Sequence, residues 1–207
     1  MSLKLLGING SVTKNSRTGV VVHTVLDAAA EAYPEIETEL LDLGQYDIVF
    51  CDGRDPCDYT GDTKIVIEKV VAADALIVGT PVYRASYTGA LKNLFDLIPN
   101  DALTGKAVGL VATGGSDHHL LALEYALRPV ISFFRAHTVP GTVYAQNQHF
   151  DAGKRLVAPD VIARAEKLGR DTVGLAYRLK GAAGEQLAGP PPPEIRRKAV
   201  IEREAAG

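Results

Sequence analysis

The chain has 207 residues and a formal net charge of -3, with 22 basic residues interspersed among 25 acidic ones. This length suits one α/β domain with a buried core, and the mixed charge leaves no basic face for nucleic acid. No apolar run approaches the roughly 18 residues of a membrane span, and the N-terminus lacks a cleavable signal, so we expect a cytoplasmic protein without a nucleic-acid or membrane partner.

Five apolar segments predict β-strands. Most of them are short, continuously apolar runs, which is typical of strands buried in a parallel sheet. The predicted strands cover residues 3–9, 36–41, 75–80, 107–113 and, more weakly, 139–145.

Segments with a helical spacing of apolar residues follow these strands. They cover residues 18–33, 63–72, 88–98, 118–136 and 162–179. The alternation of strand and helix predicts a three-layer α/β/α sandwich, in which a five-stranded parallel sheet carries helices on both faces. Five such units in a chain of this length fit the flavodoxin-like strand order 2-1-3-4-5.

Two segments fall outside this alternation. Residues 42–62 form a long polar connection with both cysteines, Cys51 and Cys57. A reducing cytosol gives that pair little reason to form a disulfide, and one pair is too little for a zinc site. From Gly181 onward the composition shifts to Gly, Ala and Pro and then to charged residues. We therefore divide the chain into a domain of residues 1–180 and a tail of residues 181–207, which either extends into solvent or lies across a neighbouring subunit.

The loop after the first predicted strand, residues 10–18, is rich in hydroxyl groups and precedes a helix. Ligands of an open parallel sheet bind beyond the carboxyl ends of its strands. The backbone N–H groups of this loop, its hydroxyls, the helix start and Arg17 favour a phosphate monoester. The loop has neither a Walker motif nor G-x-G-x-x-G, which argues against ATP and common dinucleotide binding. The alternative is a plain helix start capped by Ser16.

The loop after the third predicted strand contains Pro81 and two tyrosines, ahead of a helix that begins near Thr88. A rigid turn with apolar and aromatic groups can form a wall for a flat ring system, although a packed core turn has the same composition. Gly89 favours the ligand, because it permits close approach at a cost in helix propensity.

The loop after the fourth predicted strand, residues 112–117, contains Gly114 and Gly115 in succession. Consecutive glycines expose backbone amides, and the following helix start adds partial positive charge. Such a loop can stabilise the negative charge that a reduced flavin carries around its N1 and O2 atoms.

With these three loops, the chain resembles the NAD(P)H-dependent FMN reductases, in particular the reductase components of two-component alkanesulfonate and methanesulfonate monooxygenase systems. The resemblance runs from about residue 3 to about residue 177 and is densest in TPVYRASYTGALKNLFDLIP and LVATGGSDHHLLALEYALRPVISFF. The phosphate loop departs from the common G-S-x-R form, because Thr13 stands where arginine is frequent, but Ser16, Arg17 and Thr18 are retained.

The resemblance implies FMN as the flavin and NADH or NADPH as the donor. It also implies three groups of binding residues: Ser11, Ser16, Arg17 and Thr18 on the phosphate, Pro81, Val82 and Tyr83 beside the isoalloxazine, and Thr113, Gly114, Gly115 and Ser116 along its polar edge. Hydride passes from nicotinamide C4 to flavin N5 in a stack that the protein holds in place, so the resemblance implies no catalytic acid or base.

The resemblance further implies that reduced FMN is released to a flavin-dependent monooxygenase, and that the chain forms a homodimer or homotetramer. The apolar fourth helix supports an oligomer, because it has more hydrophobic surface than one sheet face requires. Two alternatives stay open. One is a flavoprotein that keeps FMN bound and reduces quinones or azo compounds, and the other is a flavodoxin-type electron carrier, which the nearly neutral charge disfavours.

The fourth predicted helix has three irregular features. Tyr125 matches a place where some sulfonate-system reductases carry an inserted residue that makes a π-bulge at a subunit interface, so we predict such a bulge here. Pro129 removes an internal hydrogen bond and should kink the helix. Neighbouring helical residues diverge by about 100 degrees, so His118 and His119 are predicted to be helix-start residues and no metal is expected.

Overall fold

The computed structural model describes residues 2–116, 119, 121–180 and 186–190. Strand and helix alternate in it as the sequence predicts. The strands are β1 (Lys4–Asn9), β2 (Glu37–Asp42), β3 (Ala75–Pro81), β4 (Ala107–Gly114), β5 (His137–Thr138) and β6 (Val143–Gln146). The helices are α1 (Arg17–Ala32), α2 (Gly61–Ala72), α3 (Gly89–Leu97), a π-helical turn (Leu123–Leu127), α4 (Arg128–Phe133) and α5 (Pro159–Leu179).

The strands form a parallel sheet of order β2-β1-β3-β4-β5, and β6 also pairs with β4. The predicted flavodoxin-like order is therefore confirmed. Its fifth position holds two short strands instead of one continuous strand over residues 139–145. The break between them contains Pro140, which has no N–H for the ladder, and Gly141, whose φ is +82°.

Helices cover both faces of the sheet, which confirms the three layers. On one face, α1 and α5 bury side chains such as Val22 and Leu168 against Ile77 of β3. On the other face, α2, α3 and α4 pack on Val78 and its neighbours. Because β3 is buried along its whole length, the sheet is fixed from both sides and its carboxyl edge is a rigid base for the loops.

The fourth helix is irregular where the sequence predicts it. The N–H of Arg128 donates to the carbonyl of Leu123, five residues back, which is the hydrogen bond of a π-helix. Pro129 follows directly and has no N–H to donate to the preceding turn. The π-helical turn therefore ends next to a position that cannot make a helical hydrogen bond in any case. The predicted π-bulge around Tyr125 is confirmed, and its place in a subunit interface stays a prediction.

The long connection after β2 is held against α3 by the amide of Asn93. Its Oδ1 accepts from the N–H of Cys51 at 2.9 Å, and its Nδ2 donates to the carbonyl of Val49 at 2.9 Å. Tyr59 fills the space beneath, where it is buried. Cys51 and Cys57 are both free thiols. The connection of residues 42–62 is thus packed and hydrogen-bonded as part of the domain.

Part of the predicted tail lies against the domain. The guanidinium of Arg135 donates to the carbonyl of Ala188 at 3.3 Å and to that of Gly189 at 2.9 Å. Residues 181–185 and 191–207 lie outside the described residues, so the division at residue 180 stays a prediction. In the described part of the chain, no helix combines the length and the apolar character needed to cross a bilayer.

Lys106, just before β4, is a half-buried cation that caps the carboxyl end of α2. Its ammonium donates to the carbonyls of Val71 at 2.7 Å and Val70 at 3.3 Å. Burial lowers the pKa of this ammonium from 10.5 to about 8, against the opposing effect of Asp74 and Asp101. The folded chain therefore releases this proton at a lower pH than the unfolded chain does.

The contribution of Lys106 to the free energy of unfolding should consequently rise with pH between about 8 and 10.5. We expect the stability difference between the wild type and Lys106→Met to shift in favour of the wild type by roughly 2 kcal/mol from about pH 7 to about pH 10. Urea unfolding of both proteins at the two pH values measures this shift. A difference that is the same at both values would contradict the prediction.

Candidate active site

The loop after β1, residues 10–16, begins pressed against the end of β3. The N–H of Gly10 donates to the carbonyl of Gly79 at 2.8 Å, and a Cβ on Gly10 would lie 2.8 Å from that same oxygen. Only glycine permits this approach. Ser11 is buried, its N–H donates to Oδ1 of Asn9 at 3.2 Å, and its Oγ accepts from the N–H of Thr13 at 3.2 Å. The loop thus has a fixed path above the sheet.

Ser16 and Arg17 lie where this loop enters α1. The Oγ of Ser16 accepts from the N–H of Gly19 at 3.3 Å, so the predicted cap of the helix is confirmed. The Nε–H of Arg17 is buried and has no hydrogen-bond partner among the described residues. Its guanidinium lies 5.7 Å from the centre of the Phe150 ring. A buried guanidinium donor without an acceptor is what an anionic phosphate would satisfy.

The loop after β3 is a tight turn that presents Tyr83. Tyr83 and Ser86 exchange backbone hydrogen bonds of 2.9 and 3.1 Å, and the two residues between them, Arg84 and Ala85, have φ values of 51° and 67°. Non-glycine residues rarely occupy this left-handed region, so the turn is strained. Tyr83 is 52% exposed, which leaves its ring available to a flat partner.

Threonine hydroxyls connect the three loops. Thr88 donates from Oγ1 to the carbonyl of Gly10 at 2.6 Å and accepts from the N–H of Leu91 at 3.2 Å, so it caps α3 and joins the first loop to the second. The hydroxyls of Thr18, in the first turn of α1, and Thr113, near the end of β4, lie 2.6 Å apart and join the elements beside the first and third loops. The relative positions of the loops are therefore fixed by buried bonds.

A cavity of about 220 Å³ lies where the loops meet. Its wall contains every predicted binding residue except Ser116, whose carbonyl instead accepts from the hydroxyl of Tyr144 at 2.6 Å. Four further residues line it: Thr13, Asn15, Asn147 and Lys154. The first two lie within the predicted phosphate loop. Asn147 and Lys154 follow β6, whose carboxyl end lies at the same edge, whereas the predicted binding residues all belong to the loops after β1, β3 and β4.

The charge of this cavity distinguishes it from two larger grooves. Arg17 and Lys154 line it, and its described wall contains no Asp, Glu, His or Cys. A groove of about 740 Å³ at the amino ends of β1 and β2 contains three glutamates and two lysines, and one of about 690 Å³ between α1 and β2 contains two aspartates beside Lys14 and His23, so acidic residues outnumber lysines in both. Carboxylates repel a phosphate dianion, so the smaller cavity is the candidate phosphate site.

Metal ligands do not cluster in the part of the chain that the structure describes, where no group of three or more His, Cys, Asp or Glu is arranged to hold an ion. Of the two adjacent histidines, His119 is described and His118 lies outside the described residues.

The chain belongs to the NADPH-dependent FMN reductase family, whose family model matches residues 3–150. It is thus an NAD(P)H-dependent FMN reductase, an oxidoreductase that uses FMN and NADH or NADPH. The resemblance seen in the sequence is confirmed.

Similar proteins include an NAD(P)H-dependent FAD/FMN reductase of Geobacillus thermodenitrificans, 46% identical over 86% of this chain and 96% of the relative. The NADH-dependent FMN reductase SfnF of Pseudomonas putida is 32% identical over 87% of this chain and 96% of its own. Among solved structures, the apo form of the NADH:FMN oxidoreductase EMOB is 28% identical, covers 91% of this chain and 97% of its own, and superposes with a TM-score of 0.73.

Proposed function

We propose that this FMN reductase treats FMN as an exchangeable substrate and supplies reduced FMN to a flavin-dependent monooxygenase of the sulfonate type. The observation that carries the proposal is a cationic cavity of about 220 Å³, beside which Tyr83 is half exposed. This volume is below the roughly 300–1,000 Å³ of sites that enclose a drug-sized ligand. It suits the phosphate end of FMN and leaves the ring system near solvent, where both exchange of the flavin and approach of a nicotinamide are possible.

The phosphate end of FMN is assigned to the loop after β1. The buried Nε–H of Arg17 supplies a charged donor, and Ser11, Ser16 and Thr18 supply hydroxyls at the start of α1. The residues present fit a phosphate monoester, since the described wall has cations and donors but no carboxylate.

The ring system is assigned to the loops after β3 and β4. Pro81, Val82 and Tyr83 form one wall, and the N–H of Val82 is fixed by a 2.8 Å bond to the carbonyl of Thr113. Thr113, Gly114, Gly115 and Ser116 are assigned to the polar edge. When bound there, FMN supplies the N5 atom that accepts hydride from nicotinamide C4. The protein orients the two rings and, by this proposal, contributes no acid or base.

A homodimer or homotetramer belongs to the same proposal. Three large apolar side chains are exposed between residues 121 and 133: Leu121 before the π-helical turn (55%), Tyr125 within it (79%) and Phe133 at the end of α4 (42%). A second subunit on this surface would cover them and would add walls to the shallow flavin site. We also propose that the enzyme acts in the cytoplasm, where the nicotinamide nucleotides are present.

Steady-state kinetics with the purified, flavin-free protein test the exchange of FMN. Oxidation of NADH or NADPH should accelerate with added FMN and saturate, and free reduced FMN should accumulate without oxygen. If a quinone accelerates the reaction while added FMN does not, the enzyme keeps its flavin and the proposal fails. A coupled assay with a sulfonate monooxygenase, read as sulfite release, tests the partner class.

A further inference from the structure

The segment that follows β6 has a built conformation beside the flavin site. After β6, the N–H of Gln146 donates to Nδ1 of His149 at 3.0 Å, and the N–H of Val157 donates to the carbonyl of His149 at 2.9 Å. Phe150 and Leu156 pair as an isolated antiparallel bridge, and Phe150 carries the guanidinium of Arg17 on its ring. The segment after β6 therefore contacts Arg17 through Phe150.

Between Phe150 and Leu156 the chain makes a tight turn that ends on Lys154. The N–H of Lys154 donates to the carbonyl of Asp151 at 2.9 Å, and the N–H of Asp151 donates to the carbonyl of Arg155 at 3.0 Å. The carboxylate of Asp151 accepts from the N–H of Arg155 at 2.9 Å and from its Nε at 2.7 Å. Lys154 has a φ of 62°, a strained value for a residue with a side chain. The turn holds this lysine in place despite that strain.

The ammonium of Lys154 reaches the phosphate loop. Its Nζ donates to the carbonyl of Asn15 at 3.0 Å, a contact between residues 139 positions apart. An ammonium has three N–H donors, and this bond uses one of them. Lys154 also lines the same cavity as Ser11, Ser16 and Arg17. A second cation thus stands at the cavity from a loop that is remote in sequence.

We propose that Lys154 is a ligand of the flavin phosphate and makes the site selective for phosphorylated flavin over riboflavin; this rests on the proposed placement of FMN in the cavity. A phosphate monoester carries close to two negative charges at neutral pH. Arg17 compensates one of them, and no carboxylate in the described wall opposes Lys154. Lys154 compensates the second charge while its bond to Asn15 keeps the phosphate loop closed around the ester.

Binding of FMN and of riboflavin to three variants, followed by quenching of flavin fluorescence, tests this role. Lys154→Met should raise the dissociation constant for FMN about 10-fold, the range expected for one charge-assisted hydrogen bond at a half-exposed site, and leave riboflavin unchanged. Lys154→Arg should retain most of the affinity for FMN. Lys64→Met is the matched control, since Lys64 is an exposed lysine on α2 with a 3.7 Å ion pair to Glu68 and does not line this cavity.

Each outcome separates the two proposals. If the wild type binds FMN no more tightly than riboflavin, the phosphate placement itself fails. If the wild type prefers FMN and Lys154→Met keeps that preference in full, only the role of Lys154 is overturned. Equal weakening of FMN and riboflavin by Lys154→Met would also overturn it, because the lysine would then act only by supporting the loop.

Discussion

Replacing Arg17 by methionine is expected to raise the KM for FMN about 100-fold and to change kcat little. A hydrogen bond to a charged group contributes about 1.5–3 kcal/mol, and a guanidinium has several N–H donors that can bind phosphate oxygens in pairs. The phosphate lies far from the reacting atoms, so its contacts are the same before and during hydride transfer. Loss of such uniform binding appears in KM and not in kcat.

Steady-state kinetics with varied FMN at saturating NADH or NADPH measure this effect. Arg170→Met is the matched control, because Arg170 is an exposed arginine on α5 with a 3.9 Å ion pair to Glu166 and no place in the cavity. The control should retain wild-type KM and kcat. A large fall in kcat at unchanged KM in Arg17→Met would show that the arginine acts on the transfer step and would refute its assignment to the phosphate.

The largest effect on stability is expected from Gly169→Ala, in the contact between α1 and α5. A Cβ on Gly169 would lie 2.4 Å from the carbonyl oxygen of Val25 and 3.2 Å from the backbone nitrogen of Ala29. These are backbone atoms of a packed helix and cannot rotate away, so the two helices must separate. Overpacking of this kind costs about 1–3 kcal/mol or more, which exceeds the gain in helix propensity of about 1 kcal/mol.

Thermal unfolding of Gly169→Ala should show a Tm lower by about 4–8 °C, because an overpacking cost of about 3 kcal/mol leaves a net loss of about 2 kcal/mol and each kcal/mol lowers Tm by about 2–4 °C in a chain of this size. Gly174→Ala is the control on the same helix, where the new Cβ would meet only the hydroxyl of Tyr33, at 3.4 Å. There the helix-propensity gain should dominate, and Tm should stay equal or rise by a few degrees, about 2–4 °C. A lower Tm in Gly174→Ala as large as that in Gly169→Ala would show that the helix contact is not the cause.

The sheet could be predicted because its central strands β1, β3 and β4 are buried on both faces and therefore appear as apolar runs, whereas the exposed edge strand β2 is recognised only by its alternating pattern. The prediction of one continuous strand over residues 139–145 was wrong. Its apolar residues fit a single strand, but Pro140 and Gly141 interrupt the hydrogen bonding and separate β5 from β6. The π-helical turn was predictable only from the resemblance. Local sequence preference does not distinguish a five-residue hydrogen bond from the usual four-residue one.

Those residues of the candidate site that lie in the loops after β1, β3 and β4 could be predicted from the sequence. Lys154 could not be found in this way, because its contact with Asn15 joins two turns that are distant in sequence and only the folded sheet brings them together. Its left-handed backbone also has no sequence signal, since lysine is not a residue that favours that region. Residues 147–154 nevertheless follow the last strand of the sheet, β6, and ligands of a parallel sheet bind beyond the carboxyl ends of its strands, so their position in the sequence is compatible with the site.

The turn at Arg84 and Ala85 contains backbone strain that lowers the stability of this enzyme. Asn-Gly would adopt the same two positive φ angles at lower cost, and each non-glycine residue there carries about 1–2 kcal/mol of strain. Substituting Asn-Gly for Arg84 and Ala85 is therefore expected to raise the stability of the enzyme without changing the length of the turn. In the present sequence, the strained pair Arg84 and Ala85 sits in the turn that presents the ring of Tyr83.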